Sequence, residues 1–126
     1  MYNVEAIDSG NFIFKIKSRG SEIVTDAKGA GFTPPDLLLA GLASCIGVYV
    51  RKYFDGAKIS VDGFSVSASA DFFKEPPVRF KNISIKISLK DNKLDGRRAN
   101  ALIEFIKNCP VHNTLKNSPD IEIKLE

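Results

Sequence analysis

Thr33-Pro34-Pro35-Asp36-Leu37-Leu38-Leu39-Ala40-Gly41-Leu42-Ala43-Ser44-Cys45-Ile46-Gly47-Val48-Tyr49-Val50 is the stretch whose reading decides the fold. Thr33 can cap a helix, and Pro34 suits the first turn, where its missing N–H would have no partner. From Asp36 to about Tyr53 apolar residues cover every face, which predicts a central, buried helix. Gly41 and Gly47 weaken such a helix by about 1 kcal/mol each. Small residues on a buried helix let another backbone pack close, so a tight helix contact is expected there. Leu37–Val50 is bounded by Asp36 and Arg51 and falls short of the roughly 17 to 25 apolar residues that span a bilayer. A core helix is expected, and no membrane association.

On the N-terminal side, Val4 and Ala6 and then Phe12, Phe14 and Ile16 alternate with polar residues around Asp8-Ser9-Gly10-Asn11, which reads as a β-hairpin. Arg19-Gly20-Ser21 turns the chain into a third strand over Glu22–Asp26, and the Gly- and Ala-rich stretch from Ala27 to Phe32 reads as a loop. After Asp55-Gly56 two long strands follow. The first runs from Ile59 and Val61 through Phe64 to Phe72, with a parity change at Gly63 that predicts a bulge. The second runs from Val78 to Leu89, with another slip near Asn82, and Lys74-Glu75-Pro76-Pro77 joins the two. A polar turn over Asp91–Gly96 precedes a helix with Ala99, Leu102, Ile103, Ile106 and Cys109 on one face. Pro110 breaks that helix and starts a short further turn, with Cys109 at or near its N-cap. Ile121, Ile123 and Leu125 read as a final strand. The order β-β-β-α-β-β-α-β favours a single α+β domain over residues 1–126, with antiparallel sheet wrapped around helices.

The chain has 126 residues, 44% hydrophobic and 26% charged, the composition of an ordinary globular domain. A net charge of +3 permits anionic partners without requiring them. Met1 leads into alternating polar and apolar residues with no apolar export segment, so a cytoplasmic location is expected. Permanent disulfides are rare there. A bridge between Cys45 and Cys109, the only cysteines, would close a long loop and stabilise by roughly 4 kcal/mol. In a reducing compartment a transient, catalytic disulfide suits the pair better than a structural one.

The thiolate is the nucleophilic form of cysteine and is only a few per cent populated near neutral pH. Cys45 lies mid-helix, out of reach of the helix N-terminal dipole, and burial disfavours a thiolate, so thiolate chemistry there calls for a cation. Arg19, Arg51 and Arg79 lie outside the second helix, and the residues alone do not choose among them. Cys109 sits at a helix start with His112 close by. Two inert core cysteines are the competing reading. Cys109-x-x-His112 also has zinc-ligand spacing, but Asp36 is a poor further ligand and there is no second histidine.

Thr33-Pro34-Pro35-Asp36 through Ser44-Cys45, together with Asn108-Cys109-Pro110-Val111-His112-Asn113-Thr114-Leu115, resembles the OsmC/Ohr family, the osmotically inducible protein C and organic hydroperoxide resistance group. The resemblance extends over nearly the whole chain in element order. It implies a cysteine-based peroxidase that reduces organic hydroperoxides, built as an intertwined homodimer with sites at the subunit interface and with no metal or flavin. In those terms Cys45 matches the peroxidatic cysteine and Cys109 the resolving one. A Cys45 sulfenic acid, then a Cys45–Cys109 disulfide, would be reset by a dithiol reductant of the lipoyl type. Arg19 is the positional match for the activating arginine, and Leu38, Leu42 and Tyr49, a turn apart near Cys45, would favour bulky organic peroxides over hydrogen peroxide. The family's glutamate position, ten residues before the cysteine, is Pro35 here, and the acid is Asp36, which would orient the arginine. This places the chain nearer a less characterised OsmC-like branch.

Two other readings compete. One is an OsmC-like dimer with structural cysteines that binds a ligand or partner. The other is nucleic-acid binding, suggested by the basic balance and an α-β-β-α order like that of KH modules, although the Gly-x-x-Gly loop is missing. No nucleic-acid partner is expected.

Overall fold

The computed structural model describes residues 1–90 and 94–126. Its elements run β1 (Glu5–Asp8), β2 (Ile13–Ser18), β3 (Ser21–Asp26), α1 (Pro34–Gly56), β4 (Phe64–Phe73), β5 (Arg79–Leu89), α2 (Gly96–Ile106) and α3 (Pro110–Lys116). The chain divides into two compact units, Met1–Ala40 and Gly41–Glu126, and α1 begins in the first and continues into the second.

In the first unit β1, β2 and β3 form an antiparallel sheet in that order. The β1–β2 turn closes because Asp8 Oδ1 accepts the Gly10 N–H at 2.8 Å, while Gly10, Asn11 and Phe12 take positive φ. Arg19 and Gly20, at φ of 49° and 80°, form a two-residue turn that sets Ser18 opposite Ser21. Two central residues with positive φ match the right-handed twist of the flanking strands. Thr33, Pro34 and Asp36 then start α1. Asp36 Oδ2 accepts from both the Thr33 N–H and its hydroxyl, each at 2.9 Å, and Thr33 Oγ1 accepts the Asp36 N–H at 3.3 Å. This reciprocal box satisfies donors that a helix start leaves free.

In the second unit Leu42, Ile46, Val50 and Phe54, one helical turn apart, are the buried residues of α1. They join Leu102 of α2 and Cys109 in one core, and side chains of β4 and β5 such as Phe64, Val66, Ile85 and Ile87 pack against it. Val50 and Phe54 are fully buried. By length and composition α1 could cross a bilayer; the packing of Val50 and Phe54 against protein makes it a core helix. It is less enclosed than its sequence predicts, because Leu38 and Val48 stay 43% and 51% exposed. Nor do its glycines admit a neighbouring backbone. Among the described residues, a Cβ at Gly41 would meet nothing within 4 Å, and one at Gly47 would meet only side chains of β4, Val66 at 3.8 Å and Phe64 at 3.9 Å.

Strands β4 and β5 form an antiparallel pair whose register shifts between Asp71 and Phe72, with Lys81 the extra residue on β5 beside Asn82. The slip expected near Asn82 is therefore a bulge in the ladder. Gly63 is not, because Ile59 and Val61 lie outside the strand, in an irregular segment. That segment begins where α1 exits: Lys58 has φ of 55° and the Ile59 N–H bonds the Phe54 carbonyl at 2.9 Å. Part of the polar turn expected over Asp91–Gly96 lies at residues 91–93, outside the described residues. Asp95 caps α2 by accepting the Arg98 N–H at 2.8 Å.

The fold is α+β with antiparallel sheets and helices, but its order ends β-β-α-α. The final strand expected over Ile121, Ile123 and Leu125 does not form in this chain, where those side chains are 83%, 90% and 101% exposed. Alternation supplies two faces, whereas a strand also needs a neighbour for its N–H and C=O groups. The tail has none among the described residues.

Candidate active site

The two cysteines reach the same core from different elements. Cys45 lies on α1, between the buried Leu42 and Ile46, and is half-buried. Cys109 follows α2 and is fully buried. Phe105 and Ile106 end α2 through a tight turn, in which the Asn108 and Cys109 N–H groups bond their carbonyls at 3.1 Å each. Pro110 then opens α3 with Cys109 as its N-cap. A serine or aspartate usually offers oxygen to the amide three residues on. Here the cap acceptor is sulfur: the His112 N–H donates to Cys109 Sγ at 3.4 Å.

Both thiols are free, and Cys45 packs against the core cluster that contains Cys109. Burial is the main force pushing the Cys109 thiol above its ordinary value, and the contact with Cys45 adds to it. The His112 and Val111 amides pull it back down. Cys109 is thus held as a neutral thiol with a polar handle on its sulfur. Among the described residues, no cation is a hydrogen-bond partner of either thiol.

Of the other expected site residues, Arg19, Asp36 and Leu38 belong to the first unit and Leu42 and Tyr49 to the second. Arg19 sits in the β2–β3 turn with its guanidinium 4.4 Å from the Tyr2 ring centroid. It borders an open polar cleft of about 830 Å³ at that end of the first unit, with Lys17, Ser18 and Glu22. Asp36 is committed to the helix cap, and its bonds to Thr33 hold its carboxyl below the usual value. Arg19 and Asp36, both in the first unit, are not paired with each other among the described residues. Arg51 lies over Phe64 and near Asp55, and Arg79 over Phe73 with a bond to the Pro77 carbonyl. Neither alternative arginine hydrogen-bonds a thiol among the described residues.

Leu42, Cys45 and Tyr49 share one face of α1 by their spacing. Leu42 is core, yet it also borders a cavity of about 430 Å³ with Phe80, Ile83, Ile85, His112 and Leu115. Tyr49 packs on Phe105 at 5.9 Å between ring centroids, with Lys52 over its ring at 4.7 Å. Leu38 belongs to the first unit and is largely exposed. The His112 ring faces Asn113, with Nδ1 3.2 Å from Oδ1, so it is the backbone of His112 that touches the cysteine. Sequence reasoning passed over two of these roles: the His112 amide, which follows once Cys109 is an N-cap, and the capping box, whose Thr-x-x-acid spacing is visible in Thr33–Asp36.

The family model for OsmC-like protein matches residues 26–124. The chain belongs to the OsmC-like family. Among solved structures it is similar to an OsmC-like protein from Mycoplasma pneumoniae, at 21% identity over 94% of this chain and 89% of that one, with a TM-score of 0.83. It is also similar to an organic hydroperoxide resistance protein OsmC from Legionella pneumophila, at 20% identity, 93% and 90% coverage and a TM-score of 0.70. An OsmC-like hydroperoxide resistance protein from Jannaschia sp. CCS1 matches at 22% identity, 96% and 89% coverage and a TM-score of 0.63. At these identities the likeness is one of fold. No curated protein matches the chain. The family includes members named for hydroperoxide resistance, and the resemblance read from the two cysteine motifs is borne out at the level of the family.

Proposed function

We propose that this OsmC-like protein is a thiol-dependent peroxidase that reduces organic hydroperoxides to alcohols in a reducing cytoplasm. The observation that carries the reading is that a half-buried Cys45 packs against the core cluster holding the buried Cys109. The Cys45 thiolate attacks the outer peroxide oxygen, the O–O bond breaks, and the alkoxide leaves as an alcohol after taking a proton. The resulting sulfenic acid condenses with the Cys109 thiol, losing water and forming the disulfide, which a dithiol then reduces. The cavity beside Leu42, where Phe80, Ile83, Ile85 and Leu115 stand with the polar Lys81, Asn82 and Lys116, supports a peroxide with an organic part.

The reading extends to a homodimer. The bare alternating tail at Ile121, Ile123 and Leu125 and the exposed Val48 on α1 are apolar surface that a second copy would cover. Arg19 remains the proposed activating cation, with Leu38 and Tyr49 beside the substrate. Asp36 is proposed to act on that site by fixing the start of α1.

The experiment is consumption of cumene hydroperoxide by the purified protein with dihydrolipoamide as reductant. Wild type should turn over and Cys45→Ser should fall to the uncatalysed rate. Equal consumption by the two would sink the reading and leave an OsmC-like protein with structural cysteines.

A further inference from the structure

Of the two sulfurs in the proposed disulfide, we infer that the reductant enters at Cys45, and that Cys109 is the leaving sulfur, received by the backbone N–H of His112. The inference rests on the proposed disulfide cycle and assigns its reducing half.

Thiol–disulfide exchange needs a thiolate to approach one sulfur along the line of the S–S bond, while the other sulfur departs with the bonding electrons. Approach and departure make different demands, and the two cysteines meet different ones. Cys45 keeps exposed surface on a helix face. Cys109 has none: it is enclosed with Val50 and Phe54 at the centre of the core. A bulky thiolate therefore has a route to one sulfur only. Departure needs a donor at the sulfur that gains charge, and the His112 N–H stands 3.4 Å from Cys109 Sγ. Burial works against the departing thiolate. It slows the step, whereas the lack of any exposed surface blocks the alternative, so access decides the direction.

The step balances as follows. A reductant thiolate bonds to Cys45 Sγ, the Cys45–Cys109 bond breaks, and its electron pair passes to Cys109 Sγ, which then takes a proton from solvent. The product is a mixed disulfide on Cys45. The second thiolate of the dithiol attacks the reductant's own sulfur in that mixed disulfide, closing a cyclic disulfide and releasing the Cys45 thiolate. The dithiol is oxidised by two electrons and the protein disulfide reduced by two. Cys45 is thus the sulfur that meets the outside reactant in both halves of the cycle, attacking the peroxide in the first and attacked by the reductant in the second, and the His112 amide is a positioning group for the second.

The test uses wild-type protein oxidised with diamide, so that no peroxide is involved. Brief exposure to glutathione, an acid quench and peptide mapping locate the adduct. Glutathione on Cys45 with Cys109 free is the expected result; an adduct mainly on Cys109, an even division, or no disulfide to open would overturn the inference. His112→Pro removes the amide in a first-turn position that tolerates proline, and His112→Ala keeps it. Opening of the disulfide should be about tenfold slower in His112→Pro than in His112→Ala, as expected for one hydrogen bond to a charged group. Equal rates would remove the amide from the mechanism. If diamide-oxidised protein opens at Cys45 but cumene hydroperoxide is not consumed, the peroxidase reading fails and the exchange direction stands.

Discussion

Cys45 and Cys109 are neighbours that owe their positions to opposite kinds of structure. Cys45 rides on a 23-residue helix whose buried face, Leu42, Ile46, Val50 and Phe54, anchors it to the core. Its place is set by packing, and it keeps one side open. Cys109 sits in a short break between α2 and α3, where Pro110 and the His112 amide set the backbone and enclose the sulfur. Its place is set by capping. A cysteine pair built this way has one sulfur on a partly exposed helix face and one that is enclosed, an asymmetry that suits the proposed nucleophile and resolving partner.

The comparison can be broken most sharply by exchanging one sulfur at a time. Cys45→Ser should lose hydroperoxide consumption altogether, whereas Cys109→Ser should retain a single stoichiometric turnover ending in a sulfenic acid, visible as a mass gain of one oxygen. A matched loss in both variants, with no sulfenic acid in Cys109→Ser, would erase the difference in role. Next in size is the packing of α1, the helix that carries Cys45. Phe54→Ala opens a cavity in the core and should cost about 3 to 5 kcal/mol in urea unfolding. Leu115→Ala in α3, at 36% exposure, should cost no more than about 1 kcal/mol. Equal costs would mean that the two settings are not packed differently.

A pH series sharpens the same contrast. The folded chain holds Cys109 protonated above the ordinary thiol value of 9.0, so between those two values it binds more protons than the unfolded chain. The stability involved is complete below the ordinary value and is lost as pH rises through the folded value. The urea midpoint of the reduced protein should therefore fall on the alkaline side of pH 9.0, and Cys109→Ala should flatten the fall. An unchanged slope in the variant would remove burial as the cause. The smallest effect concerns Asp36, whose lowered carboxyl stabilises the helix start above the ordinary value of 3.8 and less as pH falls through the folded value. Asp36→Asn should lose this dependence and slightly lower the melting temperature. A large loss of peroxidase activity without a change in melting would instead give Asp36 a role at the site.

Much of this was legible from local rules. Thr33 and Pro34 start a helix, Asp55-Gly56 ends it, Arg19-Gly20 makes a two-residue turn, and Cys109-Pro110 marks an N-cap; each rests on a few consecutive residues and their backbone preferences. The misreadings have one physical source, an inference from a residue's own character to a neighbour it needs. Small Gly41 and Gly47 suggested a close backbone, but a missing side chain does not bring one. Ile121, Ile123 and Leu125 alternate like a strand without a strand to pair with, and Ile59 and Val61 alternate where the exit from α1 bends the chain away from the ladder.

By itself the sequence determined the helices, the hairpins and the two cysteine motifs, because capping, turn geometry and hydrophobic period act over a few residues. Only the tertiary structure decided that Cys45 and Cys109 meet, that one is open and the other enclosed, and that the amide of His112 rests on a sulfur. Those facts depend on how α1, α2 and the β4–β5 hairpin share one core, and burial is a property of the packed assembly that no single segment carries.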